Sequence, residues 1–489
     1  MNEIKSIVEE LAKNASRNSE KIAVIADEQM IDYGELWREI QGFSNYLKNM
    51  DIQKGDRIVV KSSHTISYVV SCFAIHLSGA IHVPTEKTLG DEGLDHMIKL
   101  MNAKAVIAHE DYTSDVLTID RAKVRELGRK NYSEDMEYTF PQGEDIADIL
   151  FTTGTTGKSK GVMISHRAIG AVSENVIFGA SIDENNVYLV PVPINHASGI
   201  RKIYVSMATG GTVVLLDGFM NLKKFFTLIE EHGVTSILLP PSAIRIMLKI
   251  AGKKLPLISE QLDHIHTGTA PLSEADKDRL CEALPDTRLY FAYGSSESGC
   301  VSMYDYSRNK GLAGCVGKPN HNANIVIVDE NRNIIPSSKD NTGTLAISGD
   351  MNMSGYYQEE ELTNTILIDG YVHTSDLGYI DENGFVYVLG RKDDVINIGG
   401  LKIAPNEIEG IALKYPGISE CACFGVTDNK GEITVKMNVV PEDSVCFDDK
   451  DFRKFIGKSV ESFKIPKLIE VVNEIPKTPN GKINRKALS

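Results

Sequence analysis

Apolar residues along this chain recur at two spacings, and the alternation of those spacings predicts an architecture. Short runs rich in β-branched residues at 22–26, 56–60, 105–108, 187–190, 211–216 and 236–239 have the length and composition of strands. Between them, segments 33–49, 91–101, 222–232 and 274–284 carry apolar residues three and four apart, the spacing of one helix face. Strands alternating with helices predict an α/β protein with largely parallel sheets. Residues 1–17 set Ile4, Ile7, Val8, Leu11 and Ala12 at helical spacing among Glu and Lys, which predicts an amphipathic helix and not a signal peptide.

The pattern changes twice further on. From 324 to 348, strand-like runs at 325–328 and 344–347 are separated by turn residues, as in a small antiparallel β unit or barrel. Composition shifts again at Gly390-Arg391-Lys392-Asp393-Asp394. Beyond it, predicted helices at 405–413 and 449–459 and strands at 421–426, 433–440 and 468–472 suffice for a small α+β domain. A chain of 489 residues exceeds one ordinary core, so we expect domains at 1–391 and 392–489. The large one should hold stacked α/β sheets plus the small β-barrel unit.

Composition then narrows the partners. The net charge of −15 disfavours non-specific binding to nucleic acid or to anionic membranes. The most apolar stretch, 68–83, is interrupted by His76 and Ser78 and is too short to span a bilayer. A cytoplasmic protein is expected. The seven cysteines include no C-x-x-C pair and read as reduced, mostly buried thiols. Cys421 and Cys423 would face the same side of a strand, without a second ligand pair for a metal.

Four stretches carry candidate chemistry. Phe151-Thr152-Thr153-Gly154-Thr155-Thr156-Gly157-Lys158-Ser159-Lys160-Gly161 lies between two apolar runs. Glycine backbone N–H groups, threonine hydroxyls and lysine ammoniums suit a phosphate cradle, although a polar hairpin turn has the same composition. Its Gly-to-Lys spacing differs from the P-loop of NTPases. In Tyr290-Phe291-Ala292-Tyr293-Gly294-Ser295-Ser296-Glu297, a ring could stack on a base and Glu297 offers hard oxygens to Mg²⁺; a strand end and turn reads similarly. Asp376, in His373-Thr374-Ser375-Asp376, is by itself an ordinary turn residue. Lys482 falls in a Lys-rich terminal segment of the sort usually found as a solvated tail.

Together and in this order, the four stretches resemble the adenylate-forming superfamily of acyl- and aryl-CoA synthetases, peptide-synthetase adenylation domains and luciferase. The resemblance spans the chain from Tyr33-Gly34-Glu35-Leu36 to Lys482. It implies that Thr152, Thr153, Gly154, Thr155, Thr156, Gly157, Lys158 and Lys160 grip the phosphates of ATP. Gly268, Thr269 and Ala270, with Tyr293, Gly294 and Ser295, would line the adenine site. Ser296 would sit near the phosphates and Glu297 would bind Mg²⁺. Asp376 would hold the ribose, and Arg391 would be a second ribose or phosphate contact. Lys482 would be the catalytic lysine of adenylation. Asp393 would be the hinge of a mobile C-terminal domain, equally readable as a plain boundary residue. Gly399 and Gly400 would form the thiol channel, with Lys402 beside it at the second half-reaction. Ser159 and Ser296 depart from the usual proline and threonine, and Thr267 from the first glycine of a frequent Gly-Gly pair; no charged group is lost.

The implied reaction joins a carboxylic acid to AMP, releasing pyrophosphate, and passes the acyl group to a thiol of coenzyme A or a carrier-protein phosphopantetheine. Pro193-Ile194-Asn195-His196-Ala197-Ser198-Gly199 resembles the acyl-pocket loop, so His196, Ala197 and Gly199, with Phe291, Ala292 and Cys300, are the candidate acid-binding residues. Amino-acid-activating relatives place an aspartate near that loop, and none occurs between Val190 and Lys202. An acyl or aryl acid is therefore expected over an amino acid. A stand-alone amino-acid-activating enzyme and a non-catalytic nucleotide binder are the alternatives. The sequence ends at Ser489 without a carrier-like segment, so any carrier protein is expected to be separate.

Overall fold

The computed structural model describes residues 3–153, 159–268, 270, 272–398, 401–427, 433–442, 447–477 and 483–488. Among them the chain forms an eight-stranded, a seven-stranded and a six-stranded sheet, with a smaller unit beyond. In the eight-stranded sheet, Ile22–Ala26, Val187–Val190, Thr212–Leu215, Ser236–Leu238, His264–Gly268 and Arg288–Ser295 run parallel, and an antiparallel strand closes each edge. In the seven-stranded sheet, Arg57–Lys61, Ile81–Thr85, Ala105–Ala108, Leu117–Asp120 and Ile146–Thr153 are parallel, and Ser159–Ser165 returns antiparallel beside the last of these.

Both sheets contribute to one apolar core, filled by the helices Ile7–Arg17, Tyr33–Asn49, Ile66–Ser78, His166–Ala180 and Ala197–Thr209. Leu11, Leu36, Phe43, Phe73 and Tyr204 are buried there. Local signals begin several helices where expected. The carboxylate of Asp32 accepts from Glu35 N at 2.7 Å, and Thr65, Ser165 and Ser273 cap their helices similarly. The first helix starts later than the apolar spacing predicts, at Ile7. Ile4 is buried ahead of it, and its N–H donates to Glu174 Oε1 at 2.7 Å, a non-helical partner that holds this segment outside the helix.

The polar residues that interrupt 68–83 are buried. Asp148 Oδ1 accepts from His76 Nε2 at 3.1 Å and His82 Nδ1 at 3.0 Å, and Oδ2 from the Tyr204 hydroxyl at 2.8 Å. Burial pushes this carboxyl's pKa up, but the two imidazoles beside it outweigh that and hold it well below the usual carboxylate range. No helix among the described residues is long and apolar enough to cross a membrane.

The six-stranded sheet includes Asn324–Val328, Gly343–Ser348, Tyr371–Ile380 and Val386–Arg391, all antiparallel. Its strand order has two ends, so among the described residues it is an open sheet where a barrel was one expected form. The smaller unit pairs Ile418–Thr427, Ile433–Pro441 and Leu468–Val471 under the helices Pro405–Ala412 and Asp449–Ile456. Cys421 and Cys423 are both buried on its first strand. The described residues on either side of 478–482 are docked here, contrary to a solvated tail. Leu488 and Ile475 are buried, and Arg485 donates to Glu409 Oε1 at 2.8 Å and pairs with Asp394 at 3.3 Å.

Candidate active site

The strand Arg288–Ser295 ends where the six-stranded sheet and the hairpin of Ile146–Thr153 with Ser159–Ser165 come together. The Tyr293 hydroxyl donates to Asp376 Oδ2 at 2.6 Å, and Asp376 lies directly opposite Arg391 in the neighbouring ladder. The Asp376 backbone N–H is itself held by Thr374 Oγ1 at 3.0 Å. Burial, and then the Asp376 charge, raise the Tyr293 phenol well above its ordinary pKa, so it stays a donor.

Past Tyr293 the strand bulges and turns. A side chain at Gly294 would place its Cβ 1.9 Å from the Gly299 carbonyl oxygen, and Gly299 has φ +72°. Glycine at both positions allows this tight turn. The turn carries Glu297, whose Oε1 accepts from the Tyr356 hydroxyl at 2.9 Å. Tyr356 belongs to the short strand Gly355–Tyr356, paired onto Ser159–Ser165, and the Lys160 ammonium lies 5.4 Å from the centre of its ring. Arg201, on the helix Ala197–Thr209, donates to the carbonyls of Ser295 and Ser296 at 3.2 and 3.4 Å. Glu297 and Lys160 thus share one tyrosine, and Arg201 braces the turn from below.

The hairpin expected to cradle phosphate has its two strands in place, with Thr152 opposite Lys160 and Thr153 opposite Ser159. Gly154, Thr155, Thr156, Gly157 and Lys158 lie outside the described residues, as do Thr269, Gly399, Gly400 and Lys482. Gly268 ends the strand beside Ala292, and a Cβ there would lie 2.6 Å from the Ala292 carbonyl oxygen. Ala270 is half-buried beyond it. Lys402 sits on the strand Leu401–Ile403, opposite Asn397, and Asp393 is exposed in the short turn Lys392–Asp394.

On the acid side, His196 is half-buried just before the helix Ala197–Thr209, and burial lowers its pKa. Ala197 and Gly199 are buried, and a Cβ on Gly199 would lie 2.4 Å from the Pro193 carbonyl oxygen. Cys300 is buried, and its carbonyl accepts from Asn175 Nδ2 at 2.9 Å. Ala292 shares the sheet face of His266 and Gly268. Phe291 does not; strand alternation turns it to the opposite face, against the Lys277 ammonium at 5.3 Å.

Four residues that sequence reasoning passed over belong to this region. Tyr356 gave no local signal. Arg201 and Lys202 did, as two adjacent bases in an otherwise small and apolar helix. The Lys202 ammonium lies 2.8 Å from Nδ1 of His266, the fourth residue, and burial pushes its pKa down to about 7.

The chain matches the AMP-binding enzyme family over residues 11–357 and the AMP-binding enzyme C-terminal domain over residues 407–482. It belongs to this family, and it is an AMP-forming acid–thiol ligase. It is 30% identical to the "Probable CoA ligase CCL5" of Humulus lupulus, covering 96% of this chain and 90% of that one. It is 28% identical to the "Peroxisomal OPC-8:0-CoA ligase 1" of Arabidopsis thaliana, covering 94% of this chain and 88% of the other. The fold is that of ATP-bound MatB from Rhodopseudomonas palustris, with TM-score 0.87, 23% identity and 98% of each chain covered.

Proposed function

We propose that the chain activates an acyl or aryl carboxylic acid with ATP and passes it to the thiol of coenzyme A. The observation that carries this reading is the convergence of Tyr293, Asp376 and Glu297 on one strand end, beside a Thr- and Lys-bearing hairpin. In the first half-reaction a carboxylate oxygen attacks the α-phosphorus of ATP, and the bond from that phosphorus to pyrophosphate breaks. In the second, the thiol sulfur attacks the acyl carbon, AMP leaves, and the thiol proton goes to solvent.

Each residue has a role that its chemistry suits. Tyr293 would face the adenine while its hydroxyl keeps Asp376 oriented toward the ribose hydroxyls, with Arg391 alongside. Thr152, Lys160 and the intervening hairpin residues would hold the β- and γ-phosphates. Lys482 would bridge two anions, the carboxylate and the α-phosphate, in a water-poor site. Glu297 suits Mg²⁺: one oxygen is held by Tyr356, and its other oxygen makes no hydrogen bond among the described residues. The ion would neutralise departing pyrophosphate. The region 392–489 would move as a unit about Asp393, bringing Lys482 forward for the first step and the Gly399–Gly400 and Lys402 segment for the second. We place the reaction in the cytoplasm.

A carrier-protein phosphopantetheine presents the same thiol, so it remains the second acceptor to assay. The test of the first step is acid-dependent exchange of labelled pyrophosphate into ATP, over acyl, aryl and amino acids. Exchange with an acyl or aryl acid that is largely lost in Lys482→Ala supports the reading. Exchange confined to amino acids overturns it.

A further inference from the structure

Arg201 and Lys202 are neighbours on the buried helix Ala197–Thr209, yet only Arg201 has work visible in the protein's own contacts. Its guanidinium holds the Ser295 and Ser296 carbonyls. Lys202 is 4% exposed, and among the described residues it forms no ion pair with a carboxylate. Its polar partner is His266 Nδ1 at 2.8 Å, and its ammonium lies 5.4 Å from the centre of the Tyr188 ring. One such contact uses one of the three N–H groups of an ammonium.

The imidazole is also incompletely used. Its Nδ1 lies 3.1 Å from the Tyr188 hydroxyl as well as facing Lys202. With two donors at Nδ1, the ring proton sits on Nε2. That atom has no hydrogen-bond partner although His266 is only 1% exposed. Burying an ammonium with no carboxylate beside it, on an imidazole whose own N–H has no acceptor, is costly, and a core built only for packing would use apolar residues here.

The pair is close to the reacting end of the site. His266 lies two residues before Gly268 on the same strand, and His266 and Gly268 oppose Tyr290 and Ala292 on the strand that ends at Tyr293. Lys202 therefore occupies the inner part of the sheet face whose outer part carries Gly268 and Ala292.

We propose that Lys202 and His266 form an anion-reading subsite that receives a second carboxylate on the acid substrate, so that the enzyme activates a dicarboxylic acid. This rests on the acid-activating reading above. His266 Nδ1 holds the ammonium in place, and its two remaining N–H groups match the two oxygens of a single carboxylate. A phosphate, with up to two charges, would find Lys202 as the one cation here without a carbonyl or carboxylate partner among the described residues, because Arg201 is already engaged. The carboxylate to be activated stays at the Lys482 end; the distal one meets Lys202.

The test compares matched acids with and without the second carboxylate: butanoate with succinate, pentanoate with glutarate, hexanoate with adipate, benzoate with its ring dicarboxylates. Pyrophosphate exchange is measured for the wild type, Lys202→Met and Lys202→Gln, each first checked for a cooperative thermal transition and for ATP binding. The wild type should prefer one diacid over its matched monoacid at least about tenfold in kcat/KM. Both variants should reduce that ratio by roughly ten- to a hundredfold, the worth of a charge-assisted hydrogen bond. A wild-type preference for monoacids, or a ratio unchanged in the folded variants, overturns the subsite. Absence of exchange with every acid counts against the ligase reading instead. The subsite is then decided by thermal shift with the diacids: stabilisation of the wild type absent from Lys202→Met supports it, and equal shifts in both overturn it.

Discussion

The hydroxyl of Tyr293 and the carboxylate of Asp376 meet at 2.6 Å, joining the end of the eight-stranded sheet to the six-stranded one. This bond ties the residue expected at the adenine to the residue expected at the ribose. Asp376→Ala removes the proposed ribose contact as well as the bond, so kcat/KM for ATP should fall by about 10²-fold. Tyr293→Phe loses only a hydrogen bond to a charged group, about 1.5–3 kcal/mol, and should cost roughly ten- to a hundredfold. Exchange kinetics over an ATP series separate the two.

Glu297→Gln keeps the shape that accepts from Tyr356 while removing the charge offered to Mg²⁺. We expect half-saturation to need several times more Mg²⁺, with kcat lower by roughly 10²–10³. A magnesium titration of the exchange rate checks this. An unchanged Mg²⁺ dependence would remove Glu297 as the ligand.

Arg485 lies three residues beyond Lys482 and anchors that end of the chain to Glu409, which is 7% exposed. Arg485→Ala leaves a buried carboxylate unpaired and should destabilise the small domain by about 3–5 kcal/mol. Pyrophosphate exchange should fall with it, because the segment bearing Lys482 loses its tether. Thermal unfolding and limited proteolysis of the C-terminal region read the stability; exchange reads the tether.

Lys202 makes a pH prediction with a definite sign. Its folded pKa, about 7, lies below its ordinary value of 10.5 because burial penalises the charged form. Between these values the unfolded chain binds more protons than the folded one, so this group's contribution to stability rises with pH across that window. At pH 6 the full cost is present, on the order of several kcal/mol. Lys202→Met should therefore melt at a higher temperature than the wild type at pH 6, with the gap closing toward pH 10. Differential scanning calorimetry across pH decides this.

Asp148 is the common acceptor for His76, His82 and Tyr204 in the core. Asp148→Ala strands three buried donors and opens a void. We expect a loss of about 3–5 kcal/mol and a clearly lower Tm. A melting curve matching the wild type would show that this network contributes little.

Much of this molecule was legible before any coordinates. The helices Tyr33–Asn49 and Asp91–Met101 and the strands Ile22–Ala26 and Val187–Val190 lie where hydrophobic spacing puts them, because burying one face of an element imposes its own period on the chain. Two of the motifs, the hairpin at 151–161 and the turn after Tyr293, stood out by composition, because tight turns gather glycine and small polar residues; Asp376 and Lys482 carried no such local signal and were read only through the family resemblance. What only the tertiary structure decided are the pairings between distant residues. Tyr293 meets Asp376 across 83 residues, Tyr356 meets Glu297 across 59, Lys202 meets His266 across 64 and Arg485 meets Glu409 across 76. The turn of Phe291 away from Ala292 belongs with them. Each depends on which strands lie side by side and in what register, and a one-residue slip would reverse the faces. Local periodicity says that a residue is buried, while only the packing of the sheets says against what.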